Sequence, residues 1–90
     1  MPTTALRELR KALGLSIGEL AALTNVSIGA ISQWERGEST PSDSKVHKLA
    51  DVLGVDPGDL QHEIQATRLA YVRRAVAKIK SGRIASSVAK

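Results

Sequence analysis

Four times in the first sixty residues, a glycine or asparagine is followed within a few positions by a serine or aspartate: Gly14 then Ser16, Asn25 then Ser27, Gly37 then Ser42, Gly54 then Asp56. Glycine and asparagine tolerate the left-handed backbone that closes a helix, and serine and aspartate accept hydrogen bonds from the free N–H groups that open one. Such punctuation divides the chain into short helices joined by tight turns.

The helices can be placed from these marks. Thr3 or Thr4 caps a first helix that carries Leu6, Leu9 and Leu13 on one face and stops at Gly14. Ser16 and, three residues on, Glu19 form a capping box that opens a second helix through Leu20, Ala21 and Leu23. Ser27 opens a third, with Ile31 and Trp34 at i, i+3 spacing and Gly37 as its stop. Beyond a polar loop from Glu38 to Pro41, Ser42 caps a fourth helix whose inner face holds Val46, Leu49, Ala50 and Leu53. Asp56 caps a short fifth, with Pro57 in its first position and Leu60 facing inward. Short helices bury their apolar stripes only against one another. The expected fold is therefore all-α, a five-helix bundle whose core is Leu6, Leu9, Leu13, Leu20, Ala21, Val26, Ile31, Trp34, Val46, Leu49, Leu53, Val55 and Leu60. With Trp34 and Tyr71 as the sole aromatics, aliphatic side chains must supply that packing.

From His62 the pattern changes. Residues 62–80 contain no glycine or proline, and Leu69, Val72, Val76 and Ile79 recur at 3-4-3 spacing, a one-sided stripe on a helix of roughly 18 residues. Arg68, Arg73, Arg74, Lys78 and Lys80 surround the stripe, and Ser81–Gly82 is its expected end. The organisation expected is a bundle over 3–61, a C-terminal amphipathic basic helix over 62–82 and a flexible tail over 83–90. Charge follows the same division. Residues 1–63 carry six basic and nine acidic side chains, whereas residues 64–90 carry seven basic ones and no acid. A basic tail of this kind suits a polyanion, a solvated face or a membrane surface, and charge alone does not choose among them.

Other chemistry finds little support. The chain has no cysteine, and its two histidines, His47 and His62, lie fifteen apart without a metal-binding H-E-x-x-H, so no metal or cofactor is expected. Gly14-x-x-x-Gly18 lacks the lysine and hydroxyl residue of a phosphate loop, and no nucleophile–base–acid set suggests catalysis. No apolar run approaches the length of a bilayer span, and the segment from Met1 to Leu9 has no secretion pattern. A non-enzymatic, cytosolic soluble protein is the expectation.

The stretch from Leu6 to Leu60 resembles the lambda-repressor-like helix-turn-helix family, the Cro/C1 (XRE-like) type of phage and bacterial regulators. The resemblance is carried by L-R-K-A-L-G-L-S-I-G-E-L-A-A-L-T-N-V-S-I-G-A-I-S-Q-W-E-R-G-E-S-T-P, residues 9–41, followed by K-L-A-D-V-L-G-V-D-P-G-D-L, residues 48–60. It implies that the third helix enters the major groove of double-stranded DNA while the second lies across the backbone. By that similarity Ile28, Gly29, Ser32 and Gln33 face the base edges, with Gln33 the strongest direct reader. Phosphate contacts would fall to Arg10, Ser16, Ile17, Ser27, Arg36, Ser42 and Ser44, many of them at helix amino ends. Arg10 and Glu35 resemble the ion pair that ties the first helix to the third in related domains. Three positions depart from the family: Ile17 stands where a glutamine often meets phosphate, and Ile28 and Gly29 replace long polar readers.

The reading that results is a sequence-specific transcriptional regulator of repressor type, acting as a homodimer at least on DNA. Leu69, Val72, Arg73, Arg74, Val76, Lys78, Ile79 and Lys80 are candidates for a DNA contact, a dimer seam or a protein partner's site. The alternatives are an antitoxin-type autorepressor, a low-specificity architectural DNA binder and a protein-interaction module on a helix-turn-helix scaffold.

Overall fold

A computed structural model describes the backbone of residues 5–88 and the side chains of residues 6–81. Five helices follow one another: α1 (Ala5–Ala12), α2 (Ile17–Thr24), α3 (Ile28–Arg36), α4 (Asp43–Leu53) and α5 (Pro57–Val88). The expected cap at Thr3 or Thr4 lies outside the described residues.

The terminators act as the repeated punctuation requires. Gly14, Asn25, Gly37 and Gly54 all have φ between 57° and 82°, the left-handed region. After each, the next N–H reaches back six residues inclusive to close the helix: Leu15 to the Arg10 carbonyl, Val26 to Ala21, Glu38 to Gln33 and Val55 to Ala50, at 2.9–3.1 Å. This double-reach closure satisfies the last carbonyls and turns the chain sharply, four times over. At the opposite ends, Ser16, Ser27 and Ser42 accept from the backbone N–H three residues on, and Asp56 Oδ2 accepts from Asp59 at 3.1 Å. The Ser16–Glu19 capping box is complete, since Glu19 Oε1 accepts from the Ser16 N–H at 2.8 Å.

The core consists of Leu6, Leu20, Ala21, Ile31, Trp34, Val46, Leu49, Ala50, Leu53, Leu60 and Ile64. Leu9, Val26 and Val55 pack half-buried at its margin. Leu13 is not part of it: the residue is 51% exposed. Leu13 lies just past the end of α1 at Ala12, next to the left-handed Gly14 that turns the chain. Conversely, Ile64 joins the core at 3% exposure.

The largest difference from expectation concerns the fifth helix. A short helix and a separate basic helix were expected, with a stop at Ser81–Gly82; one continuous helix instead runs from Pro57 to Val88. Between Asp59 and Ser81 no glycine or proline interrupts hydrogen bonding. A lone glycine such as Gly82 costs only about 1 kcal/mol relative to alanine, too little to end a helix by itself. The first part of α5 packs against α1, α3 and α4. Helix rise alone gives α5 a length of about 48 Å, most of the molecule's 53 Å long axis; the other two extents are 24 Å. Among the described residues, no helix is long and apolar enough to cross a membrane.

Candidate nucleic-acid interface

Helices α2 and α3 meet through the turn Thr24–Asn25–Val26. Thr24 is buried, and its hydroxyl donates to the Leu20 carbonyl at 2.7 Å, so the last turn of α2 carries no unpaired polar group into the core. Asn25 takes the left-handed conformation, and Val26 packs half-buried at the corner against the core. Ala21, buried at the α2–α3 contact, has only a methyl to place between the helices.

That corner decides which way α3 faces. Ile31, Trp34 and Glu35 are buried. With 3.6 residues per turn the remaining positions point away from the core: Ile28, Gly29 and Gln33 are exposed and Ser32 is half-exposed. Ile28, at 60% exposure, leans toward the start of α2, where a Cβ built on Gly18 would stand 3.8 Å from its Cδ1. Gln33 Oε1 accepts weakly from the Ser39 hydroxyl at 3.4 Å. The four candidate readers thus share one outward surface, with Ser27 capping the same helix at its start.

The candidate phosphate contacts separate into groups. Ser16, Ser27, Ser42 and Ser44 are exposed at helix starts, with Ser42 and Ser44 hydroxyls 3.3 Å apart. Ile17 is half-buried and packed against the core. Arg10 is buried. Its Nε and one terminal nitrogen donate to the two oxygens of Glu35 at 2.6 and 3.2 Å, while the other terminal nitrogen donates to the Leu15 carbonyl at 2.8 Å. The hydrogen bond to Glu35, reinforced by its charge, holds the Arg10 guanidinium above its ordinary pKa against the opposing cost of burial. A planar guanidinium suits this three-way fastening of α1, α3 and the α1–α2 turn. Among the described residues, no buried side-chain nitrogen or oxygen lacks a partner.

Arg36, at the end of α3, is exposed and engaged. Its Nε donates to Glu38 Oε2 at 2.5 Å, and a terminal nitrogen donates to the Ser32 hydroxyl. The same end of α3 is clamped from α5. An Arg68 terminal nitrogen donates to the Gly37 carbonyl at 3.0 Å and to the Glu38 carbonyl at 2.7 Å, and its guanidinium lies 5.8 Å from the Tyr71 ring centre. A Cβ at Gly37 would come within 2.6 Å of the Thr67 carbonyl oxygen, so glycine is required there for contact as well as for φ.

Of the tail candidates, Leu69, Arg73, Arg74, Val76, Lys78, Ile79 and Lys80 are exposed and Val72 is half-exposed. Sequence reading gave Glu38, Arg68 and Tyr71 no role at this end of α3 and did not place Ile64 in the core. The Arg36-x-Glu38 spacing was a local signal for the first, whereas the contacts of Arg68 span thirty residues and left no local trace. Among the described residues, no group of three or more histidine, cysteine or carboxylate side chains is placed to hold a metal ion.

Comparison with known proteins agrees with this geometry. A family model described as helix-turn-helix matches residues 6–60. An uncharacterized HTH-type transcriptional regulator of Mycobacterium bovis is 43% identical over 54 residues, covering 60% of this chain and 21% of its own length. The HTH-type transcriptional regulator DdrOP3 of Deinococcus deserti is 33% identical over 60 residues, 67% of this chain and 46% of that protein. The crystal structure of the clp gene regulator ClgR from Corynebacterium glutamicum aligns with a TM-score of 0.62 at 28% identity, covering 84% of this chain and 82% of that one. The chain spans less than half the length of the curated relatives it matches. With the family model covering Leu6 to Leu60 and the α2–turn–α3 corner at its centre, this chain belongs to the lambda-repressor-like helix-turn-helix family of the Cro/C1 type.

Proposed function

We propose that this chain is the DNA-recognition module of a transcriptional regulator and places α3 in the major groove of double-stranded DNA. The observation that carries the reading is the division of α3 into a buried face, Ile31, Trp34 and Glu35, and an outward face, Ile28, Gly29, Ser32 and Gln33. A major groove about 12 Å wide accepts one such helix. On this reading Gln33 addresses adenine through its amide, and Ile28 packs on a thymine methyl. Ser16, Ser27, Ser42 and Ser44, with the N–H groups beside them, meet phosphate. Arg10 serves chiefly to brace α3 through Glu35.

The regulator acts as a homodimer on half-sites about one helical turn, roughly 34 Å, apart. Leu69, Val76 and Ile79 support this: they lie exposed along α5, Val76 and Ile79 beyond Tyr71, and offer an apolar seam to a second copy. Arg73, Arg74, Lys78 and Lys80 flank that seam and add attraction to DNA.

Selection of bound sequences from a random duplex library tests the reading. A recovered near-palindromic motif, bound well above random competitor, is expected. A competitor ratio near one would replace it with low-specificity binding, and no binding even at low salt would leave α3 as a protein-contact surface. Sedimentation of Ile79→Asp beside the parent chain checks the seam, and an unchanged oligomeric state would refute it.

A further inference from the structure

The loop that follows α3 carries an acidic residue, Glu38, beside the last residue of the helix, Arg36. α3 contains one basic side chain, Arg36, and that side chain is engaged within the protein by Glu38 and by Ser32 of the outward face. Glu38 is itself fixed. Its N–H donates to the Gln33 carbonyl at 2.9 Å, its carbonyl accepts from Arg68 at 2.7 Å, and the preceding Gly37 is wedged against Thr67 and Tyr71 of α5. The carboxylate therefore sits on a short, rigid loop, with both neighbouring peptide groups tied to the fold. Arg36, by contrast, is more than half exposed and reaches from the end of a helix on a flexible stem.

An arginine attracts phosphate through its net charge, which releases condensed counterions, and through its free donors, which fix the contact. With Nε on a carboxylate and a terminal nitrogen on a hydroxyl, Arg36 brings less of each, and the carboxylate adds repulsion of its own. We infer that Glu38 limits DNA affinity by holding Arg36 in an intramolecular ion pair, so that the arginine reaches a backbone phosphate only after that pair opens. Arg68 is the positioning residue, since it anchors the loop from which Glu38 acts. The inference rests on DNA binding through α3 and adds a residue that opposes it.

The test uses the full chain and the duplex enriched from the random library, titrated by fluorescence anisotropy over a range of salt concentrations. Glu38→Gln is expected to bind roughly three- to fivefold tighter at low salt, the scale of one exposed ion pair. The slope of log K against log salt should steepen by about 0.9, the mark of one more phosphate neutralised. In the Arg36→Ala background the same change should produce no gain in slope and at most a small gain in affinity. Binding by Glu38→Gln equal to or weaker than the parent would overturn the inference, as would an undiminished gain in the absence of Arg36. Thermal melts of each variant verify folding at these exposed positions. If the parent chain binds no duplex at low salt, the DNA-binding reading fails and this inference with it; a parent that binds and a Glu38→Gln chain that gains nothing removes the inference alone.

Discussion

Arg10 and Glu35 lie twenty-five residues apart and meet as a buried, bidentate pair. Pairs of this sort hold structure in place less by their net energy than by the penalty for breaking them. Arg10→Ala leaves the Glu35 carboxylate and the Leu15 carbonyl unpaired and should cost about 3–5 kcal/mol in urea unfolding. Replacing both partners, as Arg10→Met with Glu35→Leu, should recover much of that loss. The glycines offer a matched contrast. Gly54→Ala places a methyl in open space and pays only for φ of +72°, about 1–2 kcal/mol. Gly37→Ala meets the Thr67 carbonyl as well and should be clearly the more destabilising when the two are melted side by side. Glu38 supplies a pH dependence. The hydrogen bond from Arg36, helped by its charge, holds the carboxyl below its ordinary value. A depressed pKa in the folded state means the pair stabilises above the unfolded carboxyl's pKa and loses that contribution as pH falls through the folded one. Acid should therefore narrow the stability difference between the parent and Glu38→Gln, by a small amount because both side chains are solvated; a difference constant across the acidic range would refute it.

At the scale of elements, stability is concentrated at the helix ends. Helices α1 to α3 have only 8, 8 and 9 residues, and isolated helices shorter than about 12–15 residues are marginal in water. Caps and closures must make up part of the deficit. Ser27→Ala removes the acceptor for the Ala30 N–H and is expected to cost about 1 kcal/mol, with amide exchange rising first in α3. These features were legible because they are local: a cap and a terminator act over three to six residues, well within what a sequence displays. The inward face of α3 was legible for the same reason. Ile31 and Trp34 mark the inward side by their spacing, and the resemblance to the family named Ile28, Gly29, Ser32 and Gln33 as the other. Local reading failed at Leu13, where apolar character matched the stripe but the residue stands exposed just past the end of α1.

At the scale of the molecule, α5 is both part of the bundle and its longest projection. Ile64 belongs to the core, and Arg68 clamps the loop that ends α3. A chain ending at Gln61 should therefore lose several kcal/mol, since removing one buried isoleucine alone costs about 2–5. A chain ending at Ala75 keeps Ile64, Arg68 and Tyr71 and should retain a cooperative thermal transition. If the exposed seam beyond Tyr71 joins two copies, that shorter chain should also lose the concentration dependence of its melting temperature. Equal melting behaviour for the two truncations would contradict this role for α5.

The limits of α2, α3 and α4, the family and the inward side of α3 at Ile31 and Trp34 could all be read from residue order. Capping, left-handed closure and helical period are short-range physics, complete within a few neighbouring residues. Folding in three dimensions was needed to join the fifth helix to the basic tail, to bury Ile64 while Leu13 stays exposed, and to set Arg68 on the end of α3. Those outcomes depend on which surfaces meet across thirty residues of chain, and residue order carries no direct record of such meetings. The acidic brake proposed at Glu38 sits at that join, where a local pair, Arg36 with Glu38, is held in place by a distant guanidinium.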